Sequence, residues 1–175
     1  MNTEQLWFLC KNIPDLRDKF LGVFPSDKLP HRKKFKEKKF YIANIDPSYK
    51  DGSHWVTVIF TPGKEKDIYF DSYGLPPHEI FTKNMKDNYA FNKIQLQHPL
   101  STACGQWCIF FLCCYFTNHS LRQIKKFFRK NSDLFKNDVL VNKFVNDLFS
   151  FDEIYPVVDK GFLKNQFSIQ MKNVV

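Results

Sequence analysis

Apolar side chains fall in short dense runs between residues 40 and 73, and at helical spacing over much of the remaining chain. Phe40–Ile45 and His54–Phe60 (HWVTVIF) are rich in β-branched and aromatic residues and read as strands. Asp51-Gly52 is a turn signal between them. Pro62-Gly63 then turns the chain into a further strand, Asp67–Tyr73 (DIYFDSY), which predicts an antiparallel hairpin with a loop of several residues. Asn92–Gln97 alternates weakly and reads as another strand. Leu6, Trp7, Leu9 and Cys10, behind a Thr/Asn cap, predict a short amphipathic helix over 3–12. Residues 77–89 carry Ile80, Phe81 and Met85 on one side of a second helix. Cys104–Phe116 is apolar all round, the mark of a helix buried at the centre of a domain. Ser120 with Gln123 forms a capping box that opens a basic helix, SLRQIKKFFRK. Val139, Leu140, Phe144, Leu148 and Phe149 recur at helical spacing after an expected Asn137 cap, and 151–175 is less regular. With no internal repeat and no long linker, the expectation is a single domain over 1–175. Its class is α+β: a small, mostly antiparallel sheet packed against helices, with a buried central helix starting at Cys104.

Composition narrows the setting. Of 175 residues 43% are hydrophobic, with 20 phenylalanines, enough for a large aromatic core. The longest apolar run, Cys108–Phe116, is well short of the roughly 18 residues a membrane span needs. Met1–Gln5 lacks the basic-then-apolar pattern of a secretion signal. Four of the five cysteines crowd into Cys104–Cys114, which a secreted disulfide framework would not do. Free thiols in a reducing compartment are expected. Without Cys-x2-Cys knuckles, no metal site is expected either.

The formal net charge is +8 and favours polyanionic contacts. Lysines outnumber arginines 22 to 4, so a DNA contact would be to phosphate and not to base edges. Two stretches could carry it: Lys33, Lys34, Lys36, Lys38 and Lys39 in the run His31–Lys39, and Lys125, Lys126, Arg129 and Lys130 in the basic helix. For the first run a solvated loop or helix face is the plainer reading.

Three polar residues stand out against this background. His54 opens one strand, Asp71 lies in its hairpin partner, and Cys104 begins the buried helix. A carboxylate beside an imidazole fixes its tautomer and favours its charged form. A cysteine at a helix N-terminus meets the positive end of the dipole and unpaired N–H groups, which favour thiolate. Gly105 removes a side chain where a substrate backbone would approach. Together these supply a nucleophile, a base and an orienting acid.

His54-Trp55, YFDSYG at 69–74 and QHPLSTACGQWC at 97–108 resemble the adenain-type cysteine proteases, whose clan includes the SUMO-specific proteases. The likeness covers roughly residues 20–116, and FLGVF at 20–24 followed by Pro30 resembles the N-terminal segment of adenovirus proteases. The resemblance implies His54 as general base, Asp71 as its orienting acid, Cys104 as nucleophile and Gln97, seven residues earlier, in the oxyanion hole with the Cys104 backbone N–H. It implies that Trp55, beside the histidine, narrows the substrate channel, so that cleavage follows glycine or another small residue. Adenovirus proteases usually carry Glu where this chain has Asp71; Asp is the choice of the SUMO-protease branch.

The expected function is a viral or virus-like-element cysteine endopeptidase that cleaves capsid or core precursors, acting as a monomer in virion and host cell interior, without membrane association or secretion. A deconjugating protease for ubiquitin-like modifiers is the alternative, and a non-enzymatic nucleic-acid-binding domain a third reading. The chemistry needs no cofactor. The resemblance adds DNA and a strand-adding peptide as activators. No cysteine lies between Cys10 and Cys104 to tether such a peptide. Phe167, Ile169 and Met171 alternate with polar residues, a pattern suited to an edge strand, so 165–175 either supplies that strand in cis or is a loosely held tail, the plainer reading.

Overall fold

The computed structural model describes residues 1–129 and 133–152. Two helices, α1 (Thr3–Asn12) and α2 (Pro14–Arg17), precede strand β1 (Phe20–Phe24) and a single 3-10 turn at Ser26–Lys28. Strands β2 (Lys39–Asn44), β3 (Trp55–Phe60) and β4 (Ile68–Phe70) follow, then a one-turn helix α3 (Glu79–Thr82) and β5 (Ala90–Phe91). Three helices close the described chain: α4 (Cys104–Phe116), α5 (Leu121–Arg129) and α6 (Leu134–Asp152). The class is α+β, as the pattern predicts.

The five strands lie in the order β1-β2-β3-β4-β5. The central ladders, β2 with β3 and β3 with β4, are antiparallel, whereas the outer pairs, β1 with β2 and β4 with β5, are parallel. The sheet is therefore mixed. Both faces are covered, which is why β2 and β3 read as unbroken apolar runs and not as alternation. Phe40, Ile42, Ile59 and Phe70 face α1, α4 and α6, while Tyr41, Ala43, Val56, Val58 and Phe60 pack on Phe81 and Met85 across the sheet. The Phe70 ring stacks on Phe111 of α4 with centroids 4.1 Å apart. All five cysteines are buried free thiols.

Helix α4 has the predicted bounds, and α1 begins with a capping box between Asn2 and Gln5. Ser120 and Gln123 exchange the capping-box bonds expected of them. Elsewhere side chains redirect the chain. The 77–89 helix stops after one turn, and the Lys86 N–H donates to Asp67 Oδ2 at 2.9 Å instead of to a helix carbonyl. The expected strand 92–97 is not formed. Lys93 adopts φ 55°, and the pairing with β4 is confined to Ala90–Phe91. The strand drawn over 67–73 contracts to Ile68–Phe70, because the aspartates at both ends turn their carboxylates onto backbone N–H groups. The last helix starts earlier than its expected Asn137 cap: Asp133 accepts from Phe135 and Lys136 N–H, and Asn137 is buried one turn in. No described helix is long and apolar enough to cross a membrane.

Candidate active site

The site forms at one end of the central strands, against the first turn of α4. The β3–β4 register sets Thr57 opposite Phe70, so the residue before β3 and the residue after β4 emerge at the same end of the sheet. These are His54 and Asp71. The His54 Nε2–H donates to Asp71 Oδ1 at 2.8 Å, and both side chains are buried. Asp71 is itself held. Its Oδ1 accepts from the Tyr73 N–H at 2.8 Å, its carbonyl accepts from Gly74 N–H at 2.8 Å, and Asn92 pairs with its backbone on both sides. This four-residue turn needs Gly74, whose φ is +73° and whose Cα lies against the backbone of Ile94.

Nε2 being bonded to Asp71, Nδ1 is the ring nitrogen left for the Cys104 thiol. Cys104 is the first residue of α4, where the leading N–H groups have no helical acceptor. Burial pushes its pKa up, but the hydrogen bond from His54 and the N–H groups of Trp55 and Gly105 outweigh this and lower it. For His54, burial works against the charge. The hydrogen bonds with Asp71 and Cys104, and their negative charges, overcome that and push the imidazole up to about 9. Opposite shifts on two touching groups favour a thiolate–imidazolium pair. Cys108, one turn further along, has its pKa pushed far up by burial, which a hydrogen bond with Thr57 only partly offsets, so the neutral thiol is favoured there.

Cys104, His54, Trp55 and Tyr73 line a cleft of about 360 Å³ together with Met1–Thr3, Asn44, Asp51–Ser53, Ser101 and Thr102. Beside it, a second hollow of about 230 Å³ shares Thr3, Asn44, Asp51, Gly52 and Trp55 and extends to Val23, Phe24 and Pro25. Trp55 donates its indole N–H to the Met1 carbonyl at 3.1 Å, which fixes the N-terminal segment as one wall. Asn44 Oδ1 accepts from the Asp46 and Ser53 N–H groups and braces the loop forming the opposite wall.

Gly105 and Gln97 both make contacts within the chain. A Cβ on Gly105 would lie 2.9 Å from Met1 Cβ and 3.5 Å from both Leu6 and Trp55. The close approach it permits is that of the chain's own N-terminal segment. Gln97 is fully buried. Its Oε1 accepts from the Ser72 hydroxyl at 2.6 Å, and its Nε2 donates to the Ser101 carbonyl at 2.7 Å and to Tyr73 Oη at 3.3 Å. It thereby ties the Asp71 turn to the loop that leads into α4. Ser72, Tyr73, Asn44 and Asn92 escaped the sequence reading because isolated polar residues at strand ends look like turn composition.

The basic residues lie away from these contacts. Lys38 pairs with Glu65 at 3.1 Å, and Lys39 pairs with Glu37 and with the Asp18 carbonyl. Lys33, Lys34 and Lys36 are exposed on the loop before β2; Lys126 and Arg129 are exposed on α5, where Lys125 is half-buried. Lys130 and the 165–175 segment lie outside the described residues. Arg32, in the same run, is structural: both oxygens of the buried Asp67 accept from its Nη1.

Neither a protein-family model nor a curated protein matches the chain. Among solved structures it is similar to the crystal structure of ASFV pS273R protease, at 16% sequence identity and a TM-score of 0.46. The likeness covers 66% of this chain, which spans 60% of the length of that protease.

Proposed function

We propose that the chain is a cysteine endopeptidase with Cys104 as nucleophile, His54 as acid and base, and Asp71 as orienting acid. The observation that carries this reading is the 2.8 Å His54–Asp71 bond at the mouth of α4, where His54 and backbone N–H groups favour the Cys104 thiolate. Thiolate attack on a peptide carbonyl forms the C–S bond and a tetrahedral oxyanion. The N–H groups of the first turn of α4 face that charge. Gln97 joins them by exchanging its longer bond, to Tyr73 Oη, for the oxyanion. Imidazolium then protonates the leaving amine as the C–N bond breaks. Water, deprotonated by the neutral imidazole, attacks the thioester; the C–S bond breaks, the acyl half leaves as the carboxylic acid, and the thiolate–imidazolium pair is restored.

A substrate with glycine or another small residue before the scissile bond fits this reading, since Trp55 and the Met1 segment bonded to it both line the cleft. We assign the substrates to capsid or core precursors of a virus or virus-like element, cleaved in the virion or the host cell interior. Asp71, the acid of the SUMO-protease branch, favours a second reading, removal of a ubiquitin-like modifier. Offering a precursor-type peptide and a modifier fusion side by side separates the two. Cleavage of the fusion alone would select the second.

A further inference from the structure

We propose that Asp138 is a positioning residue that fixes Gln97 relative to the first turn of α4, the two sources of donors for the oxyanion. This rests on the peptidase reading of the site and deepens it. Gln97 and Cys104 belong to different segments: Gln97 lies in the loop between β5 and α4, whereas Cys104 opens the buried helix. Asp138, on α6, spans the two. Its Oδ2 accepts from the N–H of His98, the residue after Gln97, at 3.0 Å. Its Oδ1 accepts from the indole N–H of Trp107, one turn after Cys104, at 2.7 Å. The carboxylate is buried, and both of these bonds come from neutral N–H groups.

Each end of this bridge is itself held. Trp107 is fully buried, and its ring meets Phe128 edge-on with centroids 4.8 Å apart. On the loop side, the Ser101 N–H donates to the His98 carbonyl at 3.0 Å, and Gln97 Nε2 donates to the Ser101 carbonyl at 2.7 Å. Residues 97–101 are therefore carried as one piece, and α6 places Gln97 by holding His98. The His98 ring also meets Phe135, one turn before Asp138, edge-on at 6.3 Å. A carboxylate offers one oxygen to each donor. An amide in its place has a single acceptor oxygen and would turn its own N–H groups onto one of them. Were packing the whole role, an apolar side chain would join α6 to α4 without the cost of burying a charge.

The test is a double-mutant cycle of Asp138→Asn and Gln97→Ala, read in kcat and KM on a cleaved library peptide. Phe144→Leu, a core change on the same helix, is the control for lost stability. Asp138→Asn should lower kcat by about threefold to tenfold with KM little changed. In the Gln97→Ala background the same substitution should change kcat by less than about twofold, because the group it places is gone. Phe144→Leu should lose stability and keep its kcat. An unchanged kcat in Asp138→Asn, losses that add across the two sites, or an equal loss in Phe144→Leu would overturn the positioning role. If Asp138→Asn does not fold, Asp138→Ser, which keeps a smaller acceptor, enters the cycle in its place. NMR reads the same bridge without substrate: Asp138→Asn should speed hydrogen exchange at the His98 amide and shift the Gln97 side-chain amide signals. Unmoved Gln97 signals would also overturn the role. A wild-type chain that cleaves nothing would sink the peptidase reading, and the NMR result would then decide by itself whether Asp138 places Gln97.

Discussion

His54 and Asp71 are separated by 17 positions in sequence, yet their side chains meet at 2.8 Å, just outside the adjoining ends of the two strands of one hairpin. The bond requires the β3–β4 register and the 71–74 turn together, since Asp71 lies one residue beyond β4. An acid there acts on the imidazole and, through it, on the thiol.

The pH dependence follows. His54 is pushed up to about 9 while Cys104 is lowered, so the thiolate–imidazolium pair is populated between the two midpoints. The leaving amine takes its proton from imidazolium, so kcat/KM should rise as Cys104 ionises and fall as pH passes the His54 midpoint. Asp71→Asn removes the first of the groups that raise His54. The alkaline limb should move down toward the ordinary histidine range, near about 6.5, costing at least about tenfold in kcat/KM at pH 8. A pH–rate profile checks this; an unmoved alkaline limb would separate Asp71 from the imidazole.

Gly74 and Gly63 offer a matched pair for stability. Both have positive φ, but a Cβ on Gly74 would lie 2.3 Å from the Ile94 backbone, whereas one on Gly63 meets nothing within 4 Å. Gly63→Ala should cost about 1 kcal/mol from conformation alone. Gly74→Ala should cost at least about 2 kcal/mol and take activity with it, because the turn carries Asp71. Urea unfolding of the two variants would show equal losses if the turn geometry were unimportant.

Gln97 has both a catalytic assignment and a bracing one. Gln97→Ala should lower kcat by about tenfold to a hundredfold with KM little changed. It should also cost about 1–3 kcal/mol, since Ser72 and the Ser101 carbonyl lose a buried partner. Stability loss with normal turnover would leave only the bracing role.

Much of this was legible in the sequence, for physical reasons. Strands β2 and β3 are buried on both faces and announce themselves as apolar runs, and α4 does so as a helix apolar on every side. His54, Asp71 and Cys104 were visible as polar residues in apolar surroundings. Strand β1 was not visible as a strand: FLGVF carries a glycine at φ 145°, and its partner β2 is parallel and distant in sequence. The 77–89 helix has the right periodicity, but Asp67, fixed elsewhere, captures the Lys86 N–H. Gln97 was reached through spacing and resemblance, while its partners Ser72 and Ser101 are apparent only in three dimensions.

DNA binding, if present, should be carried by Lys33, Lys34 and Lys36 and by Lys126 and Arg129 on α5, the exposed part of the basic set. Lys38 and Lys39 already have acidic partners. Affinity should fall steeply with salt, and each lost phosphate contact should flatten the log–log slope by roughly 0.9. Lys33→Glu with Lys34→Glu should weaken binding more than Lys38→Glu with Lys39→Glu. Binding insensitive to salt would contradict a phosphate contact.

The most direct test of the central claim is a peptide-library digest read by mass spectrometry, with wild type, Cys104→Ala and Cys108→Ala run in parallel. Cys104→Ala removes the sulfur and little volume, so its thermal unfolding should stay within about 1 kcal/mol of wild type. The account predicts cleavage after glycine or another small residue by wild type and by Cys108→Ala, and none by Cys104→Ala. Cleavage by Cys104→Ala at the wild-type rate, or its loss in Cys108→Ala alone, would contradict it.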